Sequence, residues 1–193
     1  MKKFGFRPLK NWQITQFFGE NKACIDVATG KKVISCDGNN PPPGYKSLYG
    51  SHGHRALDLI APRWTPIYSI YDGVVAEKLT SEVQGWGVGI LHNVDGTNYL
   101  SRYWHLCAID VDMGEKVSLG DFLGYADNTG WSAGDHLHFE IGSCNADLSN
   151  YKHLDPEQLL FPTFALDAKT RIAYIREQIA TIADKLADLA RNR

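Results

Sequence analysis

Alternating apolar and polar positions, broken at short intervals by turn-forming residues, predict a mainly β structure over roughly the first 145 residues. The stretches with this pattern are bounded mostly by Gly, Pro, Asn or Asp, and they are 12–19, 56–60, 67–71, 73–77, 87–92, 98–106 and 135–141. A loop rich in Gly, Pro and Asn is predicted over 37–53. Short strands at regular spacing favour an antiparallel sheet, a sandwich or a barrel-like core.

The pattern changes to a helical period after Pro162. Apolar side chains then recur at alternating spacings of three and four, at Ile172, Ile175, Ile179, Ile182, Leu186 and Leu189. This heptad stripe predicts a helix from roughly Asp167 to Ala190, and isoleucine at both seam positions favours three or four associated helices over two. Docking of the helix on its own domain or on a partner also explains the stripe. We therefore divide the chain into a domain over 1–163, with an insertion at about 22–47, and a helical segment over 164–193 that could serve oligomerisation or docking.

Composition excludes several classes of protein. The chain has 193 residues, of which 44% are hydrophobic and 22% charged, as in an ordinary globular protein. A formal charge of −2 argues against nucleic-acid binding, which needs a basic footprint. No apolar run approaches the ~20 residues of a membrane span. Arg7 and Pro8 interrupt the apolar stretch after the basic start, so no classical signal peptide is expected, and any export would use another route.

The four cysteines are Cys24, Cys36, Cys107 and Cys144. None forms a C-x-x-C pair, so a structural zinc site is not expected. Cys24 and Cys36 are symmetric about Gly30, and a hairpin in that register, with Ile25 opposite Ser35, would allow a disulfide between them. Two free thiols fit the same hairpin equally well. The remaining two cysteines are expected to be small, buried, apolar residues.

Five residues have the spacing that a single-zinc hydrolase needs, namely His54, Asp58, His105, His136 and His138. Because side chains at i, i+2 and i+4 share one face of a strand, His54 and Asp58 point the same way, and so do His136 and His138. Two imidazoles and one carboxylate form a usual ligand set for catalytic Zn²⁺, which keeps a fourth position for water. We expect His54, Asp58 and His138 to hold the Zn²⁺ cofactor. His105 and His136 then serve as general base and acid, or stabilise the oxyanion.

The sequence supports two further predictions about residues near this set. If β alternation continues along 98–106, then Tyr99, Ser101, Tyr103 and His105 share a face and line a groove with aromatic walls. Glu140 shares the face of the two histidines before it and is expected to orient a neighbour or to pair with a cation.

The motifs that contain these residues resemble those of the LytM/lysostaphin-type zinc metallopeptidases. They are His54-x-x-x-Asp58, Tyr103-x-His105-Leu106 and a longer one from Gly124 to Glu140 that contains Asn128-Thr-Gly130-Trp-Ser and His136-Leu-His138. The resemblance covers roughly residues 10–145. It implies a mostly antiparallel β core with a substrate groove, known as the duplicated hybrid motif. It also implies His54, Asp58 and His138 as zinc ligands, and His105 and His136 as the catalytic histidines. Ala56 and Asp135 replace the family's usual glycine and proline, but no ligand is lost.

This resemblance implies a zinc-dependent endopeptidase that cleaves stem peptides or cross-bridges of bacterial peptidoglycan. We expect it to act at the cell wall, as an extracellular, periplasmic or virion-associated enzyme. A phage lysin, a virion-mounted hydrolase and a bacterial enzyme all fit. The alternatives are a non-cleaving LytM-type binding or regulatory module and a structural virion component with a vestigial site. Metal content and turnover would distinguish them.

Overall fold

The protein is described here by a computed structural model that places residues 7–10, 12–20, 25–26, 31–32 and 53–160. Their elements are β1 (Ile14–Gln16), β2 (Ile25–Asp26), β3 (Lys31–Lys32), β4 (Leu57–Ile60), β5 (Pro66–Tyr68), β6 (Gly73–Ser81), β7 (Gly85–Val94), β8 (Thr97–Ile109), β9 (Lys116–Val117), β10 (Phe122–Ala126), β11 (His136–Ser143), β12 (Lys152–Leu154) and the short helix α1 (Pro156–Leu160). Every strand pair among them is antiparallel. The predicted mainly antiparallel β fold is therefore confirmed.

Ten strands form one sheet, in the order β1-β4-β11-β8-β7-β6-β9. β10 pairs with both β5 and β8, and β12 pairs with β11 at the side of the main path. β2 and β3 form a separate hairpin. The central strands β4, β8 and β11 carry four of the five predicted site residues, and His54 lies just before β4.

Alternation along the central strands separates the core from the site. In β11, Leu137 and Phe139 are fully buried in the hydrophobic core, and the histidines on either side of Leu137 lie on the opposite face. β4 follows the same rule, with Leu57 and Leu59 in the core and Asp58 on the site face. Burial of these large apolar side chains stabilises the sheet and determines which face the ligands occupy.

β8 departs from simple alternation at His105, and the prediction of an aromatic groove wall is wrong. Its pairing with β7 shifts by one residue beyond Tyr103, and His105 has a φ of +62°. Such a bulge re-aims a side chain. Before the bulge, Ser101 and Tyr103 alternate onto the core face and are fully buried, with the ring of Tyr103 5.2 Å from that of Phe139. The bulge turns His105 to the site face instead.

The hairpin of the insertion has a different register from the predicted one. Ile25 faces Lys32 rather than Ser35, so the pairing is centred between residues 28 and 29 and not on Gly30. Cys24 and Cys36, and most of the 22–47 insertion, lie outside the described residues. Cys107 and Cys144 are free thiols that are half-buried rather than fully buried as predicted.

The C-terminal helix predicted over roughly 167–190 also lies outside the described residues. Among the residues that the structure describes, no helix has the length and apolar character needed to cross a membrane.

Candidate active site

The three predicted metal ligands meet where β4 pairs with β11. Asp58 and His138 are direct cross-strand partners, and Oδ1 of Asp58 lies 2.9 Å from Nδ1 of His138. His54 precedes β4, and backbone hydrogen bonds to Gly19 and Glu20 hold it beside the end of β1. Its Nε2 atom lies 3.2 Å from Nδ1 of His138 and 3.3 Å from Oδ1 of Asp58. Three ligand atoms thus surround one point.

Each ligand imidazole is oriented by a partner on its other nitrogen. Nδ1 of His54 lies 3.3 Å from the carbonyl oxygen of Phe17, which can only accept a hydrogen bond. Nε2 of His138 lies 3.4 Å from Oε1 of Glu140. In the neutral form of each ring, these contacts favour the proton on the outer nitrogen, which leaves the inner lone pair for a metal.

The donor set fits zinc. Ligands of a tetrahedral ion at ~2.0–2.1 Å lie about 3.3 Å from one another. The separations among His54, Asp58 and His138 are 2.9, 3.2 and 3.3 Å. The two imidazoles are buried and the carboxylate is half-buried.

The two remaining histidines lie beside this cluster. The rings of His105 and His136 are 4.5 Å apart between centroids, and Nε2 of His136 is 3.6 Å from Oδ1 of Asp58. The Nδ1–H group of His105 donates to the carbonyl of Thr129 at 2.6 Å. The Nδ1–H group of His136 donates to the carbonyl of Gly134 at 2.8 Å. In both rings the Nε2 atom is left with its lone pair.

The charges of the site favour a bound cation. Burial raises the pKa of Asp58, but His54, His136 and His138 outweigh it and hold the pKa well below its usual range. Burial lowers the pKa of His138, but the carboxylates of Asp58 and Glu140 outweigh it and raise the pKa to about 9. Asp58 therefore stabilises positive charge at the point where the ligand atoms meet, and Glu140 stabilises it at the outer nitrogen of His138.

His105 has the opposite character. Burial, with the neighbouring His136 and His138, lowers the pKa of His105 to about 3. The imidazole is therefore neutral near pH 7, and its Nε2 atom can accept a hydrogen bond. The structure thus brings all five predicted residues together. Three of them are spaced as metal ligands, and the imidazoles of His105 and His136 are anchored beside those three.

Sequence reasoning missed three supporting residues, Thr129, Ser132 and Arg102. Thr129 holds His105 through its carbonyl, and the Ser132 hydroxyl lies 3.0 Å from Nδ1 of His136. Both lie in the glycine-rich stretch just before β11. Their polar side chains, a few residues before the predicted catalytic His136, could have identified them as supporting residues. Arg102 lies 3.7 Å from Glu140, which contacts a histidine and a cation as predicted.

A His–Asp–His cluster with two anchored imidazoles beside it is the arrangement of a metal-dependent hydrolase. The model of peptidase family M23 matches residues 52–156, which is more than half of the chain. The chain therefore belongs to peptidase family M23, and the predicted resemblance to LytM/lysostaphin-type peptidases is confirmed.

Known relatives agree with this assignment. The chain is 41% identical over 88 residues to the peptidoglycan DD-endopeptidase ShyA of Vibrio cholerae, a match covering 46% of this chain and 20% of ShyA. It is 32% identical over 110 residues to the glycyl-glycine endopeptidase ALE-1 of Staphylococcus capitis, a match covering 53% of this chain and 29% of that protein. The chain thus spans less than a third of either relative.

A solved structure shares the fold. The crystal structure of a zinc containing peptidase from Vibrio cholerae superimposes with a TM-score of 0.58 and 26% sequence identity. The match covers 83% of this chain and 41% of that one.

Proposed function

We propose that this protein is a zinc-dependent endopeptidase that hydrolyses peptide bonds in the stem peptides or cross-bridges of bacterial peptidoglycan. The observation that carries the proposal is the meeting of His54, Asp58 and His138, with ligand atoms 2.9–3.3 Å apart, beside two anchored imidazoles. Two relatives named as endopeptidases and the zinc-containing peptidase of similar fold support it.

In this proposal His54, Asp58 and His138 hold the zinc ion. When bound, zinc lowers the pKa of a coordinated water and polarises the scissile carbonyl. Asp58 supplies the negative charge of the ligand set. The outer contacts of the two ligand imidazoles, to Phe17 and Glu140, keep their lone pairs directed at the ion.

His105 and His136 supply proton transfer. In each ring the Nδ1–H group donates to a backbone carbonyl, which leaves Nε2 with its lone pair. Nε2 of His136 lies 3.6 Å from Oδ1 of Asp58. One Nε2 atom takes the proton of the attacking water, and that proton is delivered to the nitrogen of the leaving amine when the C–N bond breaks. The second imidazole takes up a proton from solvent before the reaction and donates a hydrogen bond to the oxyanion.

Bond specificity is a separate question, because ShyA is named as a DD-endopeptidase and ALE-1 as a glycyl-glycine endopeptidase. Two exposed tryptophans lie close to the loop that holds His105. The backbone of Trp86 donates to Thr129, and the backbone of Trp64 donates to Ala126. The two residues are 48% and 57% exposed, so their indole rings are candidates to stack on substrate. The site of action in this proposal is the bacterial cell wall, whether the protein is a phage lysin, a virion-associated hydrolase or a bacterial enzyme.

Digestion of purified peptidoglycan from several wall chemotypes tests the proposal. Each digest is run with and without a zinc chelator, and the released fragments are identified by mass spectrometry. We expect release of peptide-cleaved fragments that stops on chelation, and the fragment masses identify the bond. No release from any wall type by zinc-loaded protein would overturn the proposal and favour a binding or regulatory module.

A further inference from the structure

A row of charged residues crosses the sheet and ends at His138. Glu140 on β11 is the cross-strand partner of Arg102 on β8. Arg102 is the partner of Gly89 on β7, and Gly89 is the partner of Glu77 on β6. Because cross-strand partners lie on one face of a sheet, this charged row, formed by Glu77, Arg102 and Glu140, lies on the same face as His138.

The members of the charged row are in direct contact. The guanidinium of Arg102 binds Glu77 in a forked arrangement, with Nε 2.7 Å from Oε2 and Nη2 2.9 Å from Oε1. Its Nη1 atom is 3.7 Å from Oε2 of Glu140, and Oε1 of Glu140 is 3.4 Å from Nε2 of His138. The side chains of Arg102, Glu77 and Glu140 are only 20%, 15% and 8% exposed, so these contacts are weakly screened by solvent.

Gly89 makes the forked pair possible. A Cβ atom at this position would lie 2.5 Å from Oε2 of Glu77. Because β7 has no side chain there, the carboxylate of Glu77 can pass over β7 and reach Arg102 on the strand beyond it.

The ring of Tyr151 packs against Arg102. Its guanidinium carbon lies 4.4 Å from the centroid of the Tyr151 ring. The Tyr151 ring packs edge-on against His153 at 4.8 Å, and Nδ1 of His153 lies 3.8 Å from Oε2 of Glu140. Glu140 is therefore confined by Arg102, His138 and His153, and it has few alternative orientations.

We propose that Arg102 and Glu77 are positioning residues for the metal centre, acting through Glu140 on His138. Glu140 accepts the Nε2–H hydrogen of His138, which selects the tautomer and the ring orientation that present Nδ1 to Asp58 and His54. Arg102 holds the carboxylate of Glu140 at that nitrogen, and Glu77 holds Arg102. The inference rests on the proposed zinc site. It assigns metal retention in part to Glu77 on β6, which is three strands away from β11 and its ligand His138.

Zinc affinity is the readout that tests this role. The zinc dissociation constant of the full-length protein is measured by competition with a chromophoric chelator, and thermal unfolding of each zinc-free variant shows whether it is folded. The variants are Arg102→Met, Arg102→Lys and Glu77→Gln. The matched control is Asp112→Asn, which removes a different and exposed ion pair, between Lys78 and Asp112 at 3.4 Å.

We expect Arg102→Met to weaken zinc binding by ~10–100-fold, the range typical of partners that orient a metal ligand. Arg102→Lys should recover part of the loss, because it keeps the charge but not the fork. Glu77→Gln should weaken binding in the same direction by a smaller factor, and it decides the question if Arg102→Met does not fold. The control should bind zinc within about twofold of the wild type.

Two results would overturn the inference in distinguishable ways. In the first, the wild type binds zinc, and the folded Glu77→Gln and Arg102 variants have zinc dissociation constants within twofold of the wild-type value. The positioning role is then wrong, and the proposed function is unaffected. If the wild type itself does not retain zinc, the proposed function fails and the inference fails with it.

Discussion

His105 reaches the site because of an unusual backbone conformation. A φ of +62° costs a residue other than glycine on the order of 1–2 kcal/mol, and such strain persists where the surroundings determine it. Here the backbone N–H of His105 donates to Gln84, its carbonyl accepts from Asp127, and its Nδ1–H group donates to Thr129. The strain is therefore localised where it directs an imidazole at the proposed metal site.

His92 provides a prediction at this scale. It is fully buried, its Nδ1–H group donates to the carbonyl of Asp72 at 3.0 Å, and its Nε2 atom lies 2.8 Å from the Ser101 hydroxyl. Burial lowers the pKa of His92 from 6.5 to about 4. The unfolded chain therefore binds this proton more readily, and stability present above pH ~6.5 is lost as the pH falls toward 4.

We expect the loss attributable to His92 to reach ~3 kcal/mol in the free energy of unfolding at pH 4. Denaturant unfolding is measured from pH 4 to 7 for the wild type and for His92→Gln, whose amide does not titrate. The variant should show a flatter dependence on pH, whatever its absolute stability. The same slope in both proteins would contradict the account of His92.

At the scale of elements, the sequence pattern predicted seven strands of the sheet, including the short β1 and β5, and missed β9, β10 and β12. β4, β6, β7, β8 and β11 follow from local alternation, whereas β9, β10 and β12 are short or interrupted by glycine. Alternation along β4 and β11 accounts for Asp58, His136 and His138, whereas His54 precedes β4 and His105 reaches the site through a bulge. The bulge at His105, the hairpin register and the contacts of Arg102 depend on which strands pair, and no local pattern encodes that choice.

The contact of β7 with the loop before β11 yields a second prediction. Gly85 has a φ of +72°, and a Cβ there would collide with Thr129, whose carbonyl holds His105. We expect Gly85→Ala to displace Thr129, lower turnover by about 10- to 100-fold through misorientation of His105, and leave zinc bound. Turnover and zinc content of the same sample are the measurements.

Gly96 is a matched control for that variant. It has a φ of +80° in the connection between β7 and β8, and no atom would lie within 4 Å of an added Cβ. Gly96→Ala should lose about 1 kcal/mol of unfolding free energy from backbone strain and keep its turnover. Equal turnover in the Gly85 and Gly96 variants would show that Thr129 does not position His105.

At the scale of the whole molecule, the division into a peptidase domain and a helical segment over 164–193 remains a prediction. The heptad stripe predicts that the full chain forms trimers or tetramers at micromolar concentration. Ile179→Asp places a charge at the seam and should shift the chain toward monomers. Analytical ultracentrifugation of both proteins checks this, and a monomeric wild type at micromolar concentration would contradict self-association through the helix.

The central claim is a division of roles within one cluster, in which His54, Asp58 and His138 hold zinc and His105 and His136 carry out proton transfer. The most direct test measures zinc content and peptidoglycan cleavage on the same preparations of wild type, His138→Ala and His136→Ala. We expect His138→Ala to lose both zinc and cleavage, because a ligand is removed. His136→Ala should retain zinc and lose cleavage, and normal cleavage by this variant would contradict the account.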